Sequence, residues 1–163
     1  MEKGYFYRVN QQTENRFWIN NPTPSEAEKA IEAGAISCTT NPTYVSKQIK
    51  TESEHDYCLQ IIDEVIKETK DSKKAAVLVQ RRLVKRILDI FLPLYEKNMG
   101  QFGFVSIQGD PYAEEDPNSI ISEAFGGIYQ IERFYEGFVV GHRKNDFCER
   151  TCVSSGLYVV GNR

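Results

Sequence analysis

The four residues Thr39, Thr40, Asn41 and Pro42 constrain the fold of this chain more than any other stretch. Two threonines, which favour β-structure, run directly into an Asn-Pro step. The residue before a proline is pushed out of the α region, and proline itself suits the first turn of a helix. The stretch therefore predicts the end of a strand, a sharp turn and the start of a helix.

Strand-like and helix-like segments alternate around this junction. Short apolar or β-favouring runs predict strands at residues 16–20, 35–40 and 103–108. Between them, apolar residues recur at the spacing of a helix. Strands that are separated by helices imply a parallel sheet, so the predicted fold class is α/β.

Two of the helices carry more detailed expectations. The helix that begins near Pro24 is expected to be capped by Ser25 and stopped by Gly34. The longest helical pattern covers residues 73–95, and Pro93 is expected to kink that helix or end it near Leu92. This pattern includes a basic cluster that we interpret as a solvated face rather than as a phosphate site: Arg81, Arg82, Lys85 and Arg86.

Composition narrows the class of protein. The chain has 163 residues, 40% of them hydrophobic, which is enough for one sizeable core. Twenty Lys and Arg stand against 23 Asp and Glu, so the net charge of −3 gives no reason to expect a nucleic-acid partner. No apolar run reaches the ~20 residues of a membrane span, and the first residues lack the pattern of a signal peptide. The four cysteines lack a disulfide-framework spacing, which favours a reducing cytoplasm.

Three segments together resemble one known family. They are the run Phe-Trp-Ile-Asn-Asn-Pro-Thr-Pro-Ser-Glu at 17–26, the Thr-Thr-Asn-Pro motif, and Phe-Val-Ser-Ile-Gln-Gly-Asp-Pro at 104–111. This pattern resembles the N-terminal part of the transaldolase family, class I aldolases built on a (β/α)8 TIM barrel. The resemblance covers about residues 5–125. It implies a partial barrel of three β/α units.

The resemblance also implies where the site lies, because the C-terminal ends of barrel strands hold the catalytic groups. Asn20 matches an aspartate of the family and Gln108 matches a glutamate, so both catalytic carboxylates are amides here. Asn41 matches an asparagine that orients substrate hydroxyls. Thr40 and Ser106 are expected to line the same mouth as substrate-binding residues. We expect Asn20, Asn41 and Gln108 to converge at one end of the sheet.

Simpler structural roles remain open for these residues. Asn is a preferred helix cap, so Asn41 could serve only the helix that follows it. Asn20 and Gln108 could merely satisfy polar groups at the ends of strands.

The tail departs from the family. The next family strand carries the lysine that forms a Schiff base, and here the nearest approach is the run 138–144, in which Lys144 lies among polar residues. We expect residues 1–125 to form the transaldolase-like unit and residues 126–163 to be irregular and unrelated to the family. A full barrel takes about 250 residues, so the chain is expected to be a truncated form. A shifted reading frame or simple divergence would each explain the break.

An open half barrel has consequences for assembly. The third strand is expected to have an unpaired edge, and the apolar side chains of the barrel centre are expected to be exposed. Such surfaces favour a homo-oligomer.

The predicted function is that of a transaldolase-like protein of sugar-phosphate metabolism, in the pentose phosphate area of carbohydrate chemistry. A class I aldolase needs a lysine nucleophile, so the chain is expected to be inactive by itself, and whether it is an enzyme stays open. The alternative is a non-catalytic module that binds a sugar phosphate or a protein. No cofactor is expected. Zinc is not expected either, because His142, Cys148 and Cys152 lack a second close pair of ligands.

Overall fold

A computed structural model describes residues 4–98, 101–108, 138–140 and 157–160. Five helices and five strands lie in these ranges. In chain order they are α1 (Tyr5–Gln12), β1 (Trp18–Asn20), α2 (Pro24–Ala33), β2 (Ser37–Thr40), α3 (Thr43–Lys50), α4 (Glu52–Glu68), α5 (Ser72–Lys97), β3 (Val105–Gln108), β4 (Phe138–Val140) and β5 (Leu157–Val160).

The first three strands form the parallel sheet that the sequence predicts. β1 pairs with β2 and β2 pairs with β3, both in parallel. The register aligns Asn20 with Thr39, and Thr39 with Ser106. This confirms the α/β class, and three adjacent parallel strands with intervening helices fit part of a barrel.

The pairing beyond β3 contradicts two expectations, namely an unpaired edge of β3 and an irregular tail. β5 pairs antiparallel with β3, and β4 pairs antiparallel with β5, which gives the strand order β1-β2-β3-β5-β4. The tail is therefore not wholly irregular, and the edge of β3 is occupied. Both tail strands are short continuous apolar runs rich in valine, so they lack the alternation that marks a half-buried strand. The remaining residues of the tail lie outside the described ranges.

The N-cap of helix α2 lies two residues earlier than the expected Ser25. Thr23 is its N-cap: the Thr23 hydroxyl accepts from the Glu26 N–H, and the Glu26 carboxylate accepts from the Thr23 N–H in a capping box. The predicted stop at Gly34 is confirmed, with a left-handed φ of 110°. A Cβ at this position would clash with the backbone nitrogen of Tyr7. Helix α1, which the sequence did not predict, therefore packs closely on the end of α2.

Helix α5 does not end near Leu92. It continues through Pro93 to Lys97. Proline removes only one backbone hydrogen bond and Pro93 lies on the exposed side, while Phe91 and Leu94 on either side pack into the core. Packing therefore outweighs the local preference to stop.

The hydrophobic core lies between the helices and one face of the sheet. Cys38, Val105 and Ile107 belong to it, together with Val84 and Ile87 of α5. In the part of the chain that the structure describes, every helix is too short or too polar to span a lipid bilayer.

The basic cluster on α5 is not a single solvated face, contrary to our interpretation. Arg81 is only 8% exposed. Its three neighbours each pair with a carboxylate: Arg82 with Glu68, Lys85 with Asp89, and Arg86 with Glu54. These contacts account for the cluster without a phosphate.

Candidate functional site

The C-terminal ends of β1, β2 and β3 lie at one edge of the sheet. Asn20 and Gln108 are the last residues of β1 and β3, and Asn41 directly follows β2. Because the three strands are parallel and in register, these three amide residues converge at the same end, as the sequence analysis expected. Their catalytic roles stay predictions.

Side chains alternate between the two faces of the sheet. Cys38, Val105 and Ile107 point toward the helices, so their neighbours in the strands point to the opposite face. On that opposite face one register row is polar throughout, and we call Asn20, Thr39 and Ser106 the polar row. Thr39 Oγ1 donates to Asn20 Oδ1 across 2.9 Å.

The members of the polar row differ in access. Asn20 is exposed and Thr39 is half-buried, whereas Ser106 is fully buried at 0% exposure. The Ser106 hydroxyl has no hydrogen-bond partner among the described residues. Gln108, two residues further along β3, lies on the same face and is half-buried. A ligand at the strand ends would thus meet Asn20, Thr39 and Gln108 before Ser106.

Thr40 lies on the face of the sheet that packs against the helices, together with Cys38. It is 1% exposed, and Thr40 Oγ1 donates to the Ser106 carbonyl across 2.9 Å, so the hydroxyl joins β2 to β3. The structure does not bring Thr40 to the surface that the amides share. Thr39, which the sequence analysis did not single out, is the threonine on that surface. Side chains alternate along a strand, so Thr39 would have been identified if the sequence had shown that Cys38 faces the helices.

Asn41 is held in a compact network of side chains. Its Oδ1 accepts from Thr43 N–H at 3.0 Å, from Thr43 Oγ1 at 2.6 Å and from Asn21 Nδ2 at 2.9 Å. The first of these bonds satisfies the N–H of Thr43, the first residue of α3, although the N-cap of that helix is Pro42 and not Asn41. Its Nδ2 has no acceptor in the part of the chain that the structure describes.

Asn21 is a residue that the sequence analysis missed. It is 8% exposed and has a φ of 50°, in the left-handed region that Asn tolerates better than most residues. Its Oδ1 accepts from Asn41 N–H at 3.0 Å. The only signal in the sequence was the paired Asn20-Asn21 before Pro22, which is typical of a turn.

A lysine lies beside the end of β1. Lys47 Nζ contacts the Asn21 carbonyl at 2.9 Å and Glu26 Oε2 at 2.6 Å. The Lys47 hydrogen bond, together with the Thr23 N–H, holds the pKa of Glu26 below its usual range. The ammonium is thus engaged with α2 and the β1 end rather than with the polar row.

A cluster of metal ligands and a lysine on a strand are the groups that zinc or Schiff-base chemistry would need. No three His, Cys, Asp or Glu side chains come together there in a way that could hold a metal ion. His142, Cys148, Cys152 and Lys144 lie outside the described ranges. None of the five described strands contains a lysine.

Comparison with known proteins agrees with this geometry. The family model for transaldolase/fructose-6-phosphate aldolase matches residues 17–135, from just before β1 to beyond β3. A search of curated proteins found no match. The matched range includes all three parallel strands and most of the chain. The boundary that we predicted at residue 125 falls outside the described residues and stays a prediction.

Proposed function

Because this chain belongs to the transaldolase/fructose-6-phosphate aldolase family, we propose that it binds a sugar phosphate at the ends of β1, β2 and β3 without turning it over. Its place is in the sugar-phosphate part of carbohydrate metabolism. The two described cysteines are free thiols, which agrees with a cytoplasmic protein.

The observation that carries the proposal is the set of amides at the strand ends. Asn20, Asn41 and Gln108 converge there, and Asn20 already accepts a hydrogen bond from Thr39. Amides and hydroxyls bind sugar hydroxyls well, since each can donate or accept. An amide does not exchange a proton near neutral pH, so the acid and base steps of an aldolase lack a group at positions 20 and 108.

The nucleophile is the second reason to propose binding without turnover. A class I aldolase attacks a ketose carbonyl with a lysine amine held in its neutral form. The described strands offer no lysine, and Lys47 is engaged by Glu26 and the Asn21 carbonyl. We further propose that the residues after β3 do not supply the family's Schiff-base lysine, because Lys144 lies in a polar run.

Trapping of a Schiff base tests the lack of turnover. The protein is incubated with fructose 6-phosphate or dihydroxyacetone, reduced with borohydride and weighed by mass spectrometry, with an active transaldolase as the positive control. We expect no covalent adduct, also in the Asn20→Asp/Gln108→Glu variant that restores both carboxylates. An adduct on any lysine of the native chain would show that the chain is an enzyme and that our proposal is wrong.

Binding is tested by titration calorimetry with fructose 6-phosphate. We expect measurable affinity that Asn20→Ala weakens, because Asn20 is the exposed member of the polar row. The matched control is Asn98→Ala. Asn98 is the C-cap of α5, and the chain continues from it to the opposite, N-terminal end of β3. This change should therefore leave the affinity unaltered. Absence of binding to the native protein would refute the proposal and favour a module that recognises another protein.

A further inference from the structure

We propose that Asn21 is a positioning residue that fixes which end of the Asn41 carboxamide faces a ligand. This inference rests on the proposed function for its ligand but not for its geometry. Asn21 and Asn41 form two hydrogen bonds with each other, and both also contact Thr43. The pair therefore behaves as one unit at the ends of β1 and β2.

The orientation of both amides follows from backbone donors. A backbone N–H can only donate, so the atom of Asn21 that faces Asn41 N–H must be Oδ1. The second polar atom of the Asn21 carboxamide is then Nδ2, which donates. The atom of Asn41 that faces Thr43 N–H must likewise be Oδ1, and that oxygen also accepts from Asn21 Nδ2. Neither amide can flip without breaking a bond to a backbone donor.

The consequence is a chemical preference at the strand ends. With Oδ1 engaged by three donors, Asn41 offers only its Nδ2 amino group to the outside. An amino group donates and cannot accept. Asn41 should thus recognise an oxygen acceptor of the ligand, either a hydroxyl or carbonyl oxygen of the sugar or an oxygen of its phosphate. A ligand group that can only donate would be rejected at this position.

Asn21→Asp is the substitution that separates positioning from mere stability. The new carboxylate can still accept from Asn41 N–H but can no longer donate to Asn41 Oδ1. Two acceptor oxygens would then face each other, so the Asn41 amide should rotate, place Nδ2 against the new carboxylate and turn Oδ1 outward. Thr43 N–H would lose its acceptor. Asn98→Asp is the matched control, with the same charge change at a residue whose Nδ2 donates to Leu94 O.

Nuclear magnetic resonance gives a readout that does not depend on activity. In the native protein we expect the Asn21 side-chain amide protons to exchange slowly with water and those of Asn41 to exchange fast. In Asn21→Asp the Asn41 protons should become protected and the Thr43 N–H resonance should move upfield. The Asn41 signals are assigned by their loss in Asn41→Asp. Slow exchange of the Asn41 amino protons in the free native protein would overturn the inference even if no variant folds.

Affinity for fructose 6-phosphate supplies the second readout. We expect about a tenfold loss in Asn21→Asp and in Asn41→Asp, the effect of removing one donor, and no loss in Asn98→Asp. An unchanged affinity together with a rotated Asn41 would refute the role of Nδ2 in recognition. If the native protein fails to bind, the proposed function fails, whereas the exchange data still decide how Asn21 orients Asn41.

Discussion

Arg86 on α5 donates to the carboxylate of Glu54 on α4 across 2.7 Å, and its guanidinium carbon lies 4.2 Å from the centroid of the Tyr57 ring. The Glu54 side chain is only 10% exposed, whereas that of Arg86 is 38% exposed. Arg86 of α5 thus pairs with a nearly buried carboxylate of α4 and also covers a tyrosine ring of α4. The contact joins the two longest described helices behind the sheet.

Replacement of Arg86 by Met should destabilise the protein by about 1–3 kcal/mol, because it leaves the Glu54 carboxylate buried without its partner. Chemical denaturation of Arg86→Met, Glu54→Gln and the double variant measures the coupling between the two residues. The control is Arg82→Met, which breaks a more exposed pair with Glu68 and should cost about 1 kcal/mol or less. Equal losses in Arg82→Met and Arg86→Met would argue against a special role for the Glu54 pair.

The two adjacent threonines of β2 should respond differently to the same change. Thr40→Val removes a buried bond to the Ser106 carbonyl and should cost about 1–2 kcal/mol in the free energy of unfolding. Thr39→Val removes a half-buried hydroxyl from the polar row and should cost about 0.5 kcal/mol or less, while it weakens binding of fructose 6-phosphate. Denaturation and calorimetry on both variants check this. The reverse pattern would assign the ligand face to Thr40.

Proline at position 159 should open the far edge of β3. Val159 is aligned with Ser106 of β3 on one side and with Val139 of β4 on the other. Its N–H therefore points toward a paired strand, whichever side it faces. Val159→Pro removes that donor and should separate β5 from the sheet. The exposed edge of β3 should then drive self-association, seen as an increased mass in light scattering after gel filtration. Val159→Ala, which keeps the N–H, should stay in the state of the native protein.

Stability should fall in mildly alkaline solution. Burial raises the pKa of the Cys38 thiol to about 12 and also raises the pKa of Cys58. The folded state therefore holds these protons more tightly than the unfolded chain. Their contribution is full below pH ~8.5 and is lost as pH rises toward the folded pKa, by up to about 1.4 kcal/mol per pH unit for Cys38.

Denaturation curves between pH ~7.5 and ~9.5, below the usual range of tyrosine, measure this slope. Cys38→Ala should reduce it. Iodoacetamide should also leave Cys38 and Cys58 unmodified in the native protein, as read by peptide mass mapping, because both are buried. Rapid alkylation of Cys38 without unfolding would contradict the burial on which this prediction depends.

The local sequence was sufficient to predict those strands and helix ends that have a clear hydrophobic pattern or a clear turn residue. The strands that contain Ile19, Cys38 and Val105, and the helix stop at Gly34, follow from β-favouring runs and from one left-handed position. The alignment of Asn20, Asn41 and Gln108 at one edge also follows, because parallel strands share a direction. The strands and the helix stop depend on neighbours within a few residues of each other in the chain, whereas the shared edge needs only the parallel pairing that alternating strands and helices predict.

Tertiary structure decided the remainder. Packing of Phe91 and Leu94 carried α5 past Pro93, and pairing with β3 made a strand of residues 157–160. Which threonine, Thr39 or Thr40, lies on the ligand face depends on which face of the sheet the helices cover. The bond between Asn21 and Asn41 likewise depends on how β1 and β2 pair. Such contacts join residues far apart in sequence, and their free energy exceeds the small local preferences that a sequence pattern reveals.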